Sequence, residues 1–336
     1  MYLKELSEIS GISGQEKDVR AYISERIAPL ADEIWTDPLG NLIAVKKGRK
    51  GDKRLLLAAH MDEVGMMVTR INDDGTLSVM PVGGLRPEVV VGKQVMVGDA
   101  LIGVIGFKPI HLQKKDTEKI EWSNLRVYCG FANKEEAKEN VKIGTYVSFV
   151  TKFSENGVFF SGKAFDDRGG CSVLMDVIES IDTPPFDTIF SFVVQEETGL
   201  RGSAVVAEQV KPDVAIVVET TTAGDVPELE KYRWATHLGD GPAITFMHRG
   251  YVVDPRIFER LVSLAQKAGI PFQYKMRTAG GTDAARFARS LYGVPSGVVS
   301  IPCRYIHSPL SVMHRDDYRY TAELIKHVVE TGEVIL

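Results

Sequence analysis

Apolar positions along the chain fall into two textures. In the first, compact apolar runs alternate with amphipathic stretches. Residues 55–59, 188–194, 213–218 and 294–301 are short runs rich in Val, Ile, Leu, Ala and Phe. Such runs read as strands buried on both faces of a largely parallel sheet. A weaker strand, residues 42–45, follows the turn Asp37-Pro38-Leu39-Gly40-Asn41, and residues 272–276 suggest another. Between the strands the period changes to that of a helix. Val19, Ile23 and Ile27 share one face of a helix that Ser13 and Glu16, spaced as a capping box, are expected to open. Further helices are expected over residues 171–181, 205–210, 254–268 and 318–329, with a short one opened by Gly280-Gly281-Thr282-Asp283.

The second texture occupies residues 66–161. Here short alternating segments are broken by Gly and Asp turns, with one helical stretch at residues 134–140 and a polar loop over residues 107–122. The pattern predicts an α/β protein: a mixed sheet with helices on both faces, built from residues 1–64 and 163–336. A small barrel-like β domain, residues 65–162, is inserted into it.

Several runs of the first texture end in residues able to bind a metal. The run 188–194 ends in Gln195-Glu196-Glu197-Thr198-Gly199. Two adjacent carboxylates at a buried strand end are costly unless a cation compensates them. Taken alone, they could equally be a solvated pair in a loop. Neighbouring side chains diverge, so one acid could hold a metal while the other serves as general base. The run 55–59 ends in His60-Met61-Asp62-Glu63, where His60 and Asp62 point to one side of an extended chain. A His with a carboxylate two residues on suits a ligand and its orienting partner. A lone HxD is otherwise a structural histidine. Asp166-Asp167-Arg168 leads into a helix, for which simple capping is the plain explanation. Glu219 ends the run 213–218, and His307 follows the run 294–301. Ligands bind at the carboxyl ends of strands in open α/β sheets. Two histidines and several acids gathered there suit a pair of divalent ions such as zinc or cobalt, with Asp166 as a possible bridge.

Composition narrows the classes. The 336 residues are 44% hydrophobic and 25% charged, with a net charge of −5, and no basic run with interleaved aromatics points to nucleic acid. No apolar run reaches membrane-spanning length and the first ten residues are too polar for a signal peptide. Cys129, Cys171 and Cys303 are isolated, which suits reduced thiols in a cytoplasmic protein.

Five motifs occur in order: His60-Met61-Asp62-Glu63-Val64-Gly65, Asp166-Asp167-Arg168-Gly169, Glu196-Glu197-Thr198-Gly199-Leu200-Arg201-Gly202, Gly280-Gly281-Thr282-Asp283 and Tyr305-Ile306-His307-Ser308. Together they resemble the tetrahedral aminopeptidases, the glutamyl and deblocking family of dinuclear metallopeptidases. The likeness spans nearly the whole chain. It implies His60, Asp166, Glu197, Glu219 and His307 as ligands of two divalent metals, with Asp166 bridging. Glu196 would be the general base and Asp62 the partner of His60. The family often has Asp at the position of Glu219. The resemblance further implies cleavage of N-terminal residues from short peptides, and subunits that pair through the insert into dimers and then a twelve-subunit tetrahedron. Lys108-Pro109-Ile110-His111-Leu112 resembles an insert-domain loop of the family, which makes His111 a candidate contact to a neighbouring site. Two alternatives stay open on the residues: a related di-metal amidohydrolase acting on other amides, and a catalytically silent assembly protein. A glycosidase is disfavoured, because that chemistry generally uses two carboxylic acids rather than a cluster containing histidine.

Overall fold

The computed structural model describes residues 1–112, 119–278 and 280–336. An eleven-stranded mixed sheet forms the body of the protein. At its centre Phe186–Val193, Lys50–His60, Val214–Thr222 and Ser296–Arg304 lie side by side and parallel. Antiparallel strands extend both edges, Leu42–Lys46 and Glu33–Thr36 on one side, Ser311–His314, Phe159–Gly162 and Ser154–Asn156 on the other.

Strand alternation sends neighbouring residues into two separate cores. Leu55, Leu57 and Ala59 pack with Val214, Ile216 and Val218 on one face. Leu56 and Ala58 pack with Ala215 and Val217 on the other. The first face is covered by helices Lys17–Ile27, Phe165–Ser180, Pro255–Lys267 and Arg315–Thr331, which contribute Ile23, Leu174, Leu261 and Leu324. The second face carries Arg201–Val210 and Asp283–Phe287, through Val206 and Phe287. Each fully buried Leu, Ile or Phe contributes about 1.5–3 kcal/mol, so both faces are driven shut by the unbroken apolar runs. Among the described residues, no helix is long and apolar enough to cross a membrane.

After His60 the chain leaves the sheet and builds a closed barrel from Gly65–Ile71, Leu77–Val82, Gln94–Val97, Leu101–Gly106, Arg126–Tyr128 and Tyr146–Phe149. The barrel has its own apolar core, including Met66, Val95, Ile105 and Val147. The last strand pattern of this region, at residues 157–160, does not join the barrel. It forms Phe159–Gly162 and pairs with Ser311–His314 at the edge of the large sheet. Within the polar loop over residues 107–122, residues 113–118 lie outside the described residues.

The capping box did not form. The helix starts at Lys17 with Glu16 at its N-cap and no side-chain cap. Ser13 and Glu16 are used by the site instead, as described below.

Candidate metal centre

His60 is the last residue of its strand and stands in register with Val193. It shares the face of Leu56 and Ala58 but lies beyond their core, at the carboxyl end where the sheet opens. Glu219 shares the face of Ala215 and Val217. It is not past its strand, as the apolar run suggested: Val214–Thr222 continues three residues further, paired with Ser296–Arg304. Asp166 enters from the first turn of Phe165–Ser180, where Asp166 and Asp167 have non-helical backbone angles and the peptide between them is cis. Glu196 and Glu197 follow Gln195, held in a left-handed conformation at φ 55°. His307 sits in a turn where Tyr305 and His307 itself are left-handed. Such conformations cost energy for residues other than glycine and persist only where the surroundings enforce them.

These side chains converge on a cavity of about 550 Å³ lined by His60, Asp166, Glu196, Glu197, Glu219 and His307, with Lys275 in its wall. His60 Nε2 is 3.4 Å from Asp166 Oδ1 and 4.0 Å from Glu196 Oε2. His307 Nε2 is 3.4 Å from Asp166 Oδ2 and 3.2 Å from Glu197 Oε1. Asp166 therefore faces one histidine with each oxygen. Two groups of donor atoms, each close enough to surround one ion, result: His60 with Glu196 and Glu197, and Asp166 with Glu197 and His307. Glu219 lines the same cavity but belongs to neither group. His111 is exposed in a short turn, Ile110–Leu112, and belongs to neither group.

The electrostatics show a cluster short of positive charge. Burial pushes Glu219 up to about 8, only partly offset by the Lys275 ammonium. Burial likewise raises Glu197 and holds Glu196 well above the usual carboxylate range. Burial would lower both imidazoles, but the acids outweigh it. Asp166 and Asp62 hold His60 well above its ordinary value, and Asp166 with Glu197 lifts His307 to about 11. Asp166 is lowered despite its burial, by His307 and His60. Glu197 Oε1 is buried without a hydrogen bond of acceptable geometry, although His307 is near. Imidazole nitrogens and carboxylate oxygens that face one another, with such an orphaned oxygen among them, form a donor set that fits divalent cations.

Asp62 organises the site from behind. It is fully buried; its Oδ1 accepts from the Glu196 backbone N–H at 3.0 Å and its Oδ2 from that of Glu197 at 3.1 Å. Its Oδ1 also lies 3.4 Å from His60 Nδ1. One carboxylate thus ties together the ends of two parallel strands.

Several participants have roles that the sequence did not indicate. Ser13 Oγ donates to Asp62 Oδ2 at 2.6 Å, and Glu16 Oε1 accepts from the Gln195 backbone N–H at 3.1 Å. Asp167 Oδ2 accepts from the His60 N–H at 3.2 Å. Glu63 forms a buried ion pair with Lys163 at 2.6 Å. The fully buried Arg168 donates to the carbonyls of Met61, Leu6, Ile9 and Gly11, pinning the N-terminal segment beneath the site. Asp167, Glu63 and Arg168 are members of the motifs quoted above, but nothing in the sequence assigned them a role in the site. Lys275 lies in none of those motifs.

A model of the M42 glutamyl aminopeptidase family matches residues 40–324. A crystal structure described as an endoglucanase from Thermotoga maritima is 52% identical, with TM-score 0.85, covering 100% of this chain and 98% of that one. An aminopeptidase from Desulfurococcus kamchatkensis is 36% identical, with TM-score 0.94, covering 98% and 93%. The TET1 peptidase of Pyrococcus horikoshii, described as assembling into a tetrahedron or a large octahedral shell, is 33% identical, with TM-score 0.86, covering 97% and 98%. With the family match over most of its length and this likeness at both sequence and fold, the chain belongs to the M42 glutamyl aminopeptidase family and is a metal-dependent aminopeptidase.

Proposed function

We infer that the protein removes N-terminal residues from short peptides at a site for two divalent ions, zinc or cobalt. His60, Asp166, Glu197, Glu219 and His307 hold the ions. The supporting observation is Asp166, whose two oxygens face His60 and His307 at 3.4 Å each, the disposition a bridging ligand needs. Bound there, the ions would polarise the scissile carbonyl and make water nucleophilic at neutral pH. Glu196 accepts the proton of the attacking water and delivers it to the leaving amine. Asp62 fixes the His60 ring and, through the two backbone N–H groups, the direction of Glu196 and Glu197. The cavity of about 550 Å³ has room for an N-terminal residue. Two histidines among the acids favour this chemistry over glycoside hydrolysis, whatever the description of the Thermotoga maritima relative.

The barrel, which follows His60 directly and closes on its own core, is the proposed assembly module. Val104 and Tyr128 pair across neighbouring barrel strands and are exposed, an apolar surface suited to a second subunit. A homo-oligomer, by analogy with the Pyrococcus horikoshii peptidase a dodecamer built from dimers, is the proposed state. Free thiols at Cys129, Cys171 and Cys303 suit a cytoplasmic setting.

Aminoacyl chromophores and short peptides, tested against acylated amino acids before and after chelation and after return of zinc or cobalt, separate the readings. Cleavage of free N-terminal residues that chelation abolishes and metal restores is expected. Cleavage confined to acylated amino acids would mean an amidohydrolase, and none at all a silent protein.

A further inference from the structure

The barrel reaches the metal centre through a turn that carries no side chains. Gly83 and Gly84 follow the strand Leu77–Val82. The turn is anchored on both sides: Val82 pairs with Gly65, and Leu85 is buried in the barrel core. Gly84 lines the reaction cavity together with Glu197 and His307. Its carbonyl oxygen lies 3.4 Å from His307 Nδ1, at the long end of the hydrogen-bond range. A Cβ on Gly84 would stand 2.7 Å from that Nδ1 and 3.0 Å from Cε1 of the same ring. A Cβ on Gly83 would stand 2.9 Å from Val64 Cγ1 and 3.1 Å from Glu197 Cβ. Non-bonded atoms prefer about 3.5–4.0 Å, so the turn rests on two of the assigned ligands with room for backbone alone. Gly83 also holds φ at 81°, which favours glycine. Gly84 is not among the left-handed glycines, so its closeness to His307 is what bars a side chain there. The His307 side chain is 35% exposed and sits in its own left-handed turn, so it needs support from outside that turn. A histidine that binds a metal through Nε2 carries its proton on Nδ1 and donates it to a carboxylate or carbonyl. Asp62 stands beside Nδ1 of His60. Beside Nδ1 of His307 stands the Gly84 carbonyl.

Resting on the two-ion reading of the site, we propose that the Gly83-Gly84 turn of the barrel is the positioning element for His307 and Glu197. The Gly84 carbonyl accepts the Nδ1 proton, which leaves Nε2 free toward the ion and fixes the plane of the ring. The bare backbone of the turn limits how far both side chains can swing away from Asp166. The inserted barrel is thereby part of the metal centre, and its seating governs affinity for the ion beside His307. Loss of such an outer partner costs about 10- to 100-fold in affinity.

The test titrates zinc into the metal-stripped whole chain. In Gly84→Ala, one ion should bind about 10- to 100-fold more weakly than in the wild type. Urea unfolding of the stripped variant should stay near the wild type, because without an ion the partly exposed His307 ring can turn toward solvent. Gly92→Ala is the control. Gly92 lies in the same barrel segment with φ at 75°, and a Cβ there would meet no atom within 4 Å. It brings the strain of a left-handed position without touching the site, so its zinc titration should match the wild type. Wild-type affinity for every ion in Gly84→Ala overturns the proposal. Equal loss in Gly92→Ala also overturns it, assigning the effect to a weakened barrel. Should Gly84→Ala fail to fold, NMR of zinc-loaded wild type labelled with 15N-histidine decides. The rings that shift on zinc addition should carry their proton on Nδ1, and a zinc-bound ring protonated on Nε2 overturns the proposal. Cleavage of aminoacyl chromophores by the wild type is measured alongside. Zinc binding in the expected pattern without cleavage would sink the aminopeptidase reading and leave this one standing, whereas no zinc binding at all sinks both.

Discussion

Ser13→Ala isolates the link between the N-terminal segment and the site. Ser13 is 6% exposed, and its hydroxyl donates at 2.6 Å to a carboxylate that is 0% exposed. A short O–H···O⁻ bond of this kind is charge-assisted. Deleting it removes a net contribution of about 1.5–3 kcal/mol. Asp62 keeps its bonds from the Glu196 and Glu197 backbone, so the lower half of that range, about 2 kcal/mol, is expected. Because Oδ2 would then be held only by the Glu197 N–H, the carboxylate gains freedom to turn, and with it the His60 ring. Loss of such an outer partner costs about 10- to 100-fold in metal affinity or activity. Urea unfolding of metal-stripped protein measures the stability term, and metal titration measures the second. A double-mutant cycle makes the attribution: in an Asp62→Ala background, Ser13→Ala should cost close to nothing. If Ser13→Ala destabilises equally in both backgrounds, the cost lies in local packing and the proposed link is refuted. Unchanged stability and unchanged metal affinity in the single variant would refute it as well.

The adjacent glutamates should separate by role: Glu196→Gln should keep its metal while turnover falls by about 10²–10⁴-fold, whereas Glu197→Gln should lose metal and recover partly when metal is added in excess. Elemental analysis with steady-state rates checks both, and the reverse pattern would exchange the two assignments. Cys129, whose thiol burial pushes up to about 11 from 9.0, should alkylate near pH 8 about 100-fold more slowly than an ordinary thiol, because only the thiolate reacts. Cys171 and Cys303, both fully buried and raised further, should react only on unfolding, as timed mass spectrometry with iodoacetamide would show.

Much of the framework follows from local pattern. The runs around Leu57, Phe190, Ile216 and Val299 carry too much apolar surface to rest anywhere but between two covered faces, and this dictates strands without reference to the rest of the chain. The same runs place His60, Glu196 and Glu219 toward strand carboxyl ends, because each acid or histidine follows within two residues of the apolar stretch that must be buried. Pattern also separates the Gly-punctuated barrel segment from its surroundings, although it misassigned residues 157–160. Their alternation fits any half-buried strand, and only pairing with Ser311–His314 decides which sheet they join.

Tertiary structure decided what these residues meet. Ser13 and Glu16 match a capping box, yet a buried Asp62 and the unpaired N–H of Gln195 compete for the same oxygens and prevail. Arg168 figures in the sequence only as part of Asp166-Asp167-Arg168, and the fold surrounds it with four backbone carbonyls from the N-terminal segment and the His60 strand end. Lys275 carries no local mark, since its place in the cavity wall beside His60 and Glu219 depends on strands distant from it in sequence. Sequence alone determined which segments must be covered by others and which reactive groups lie at their ends, because burial of apolar surface is a local demand. The distances that turn those groups into a site depend on register, turn conformation and the packing of segments more than a hundred residues apart, and only the folded chain supplies them.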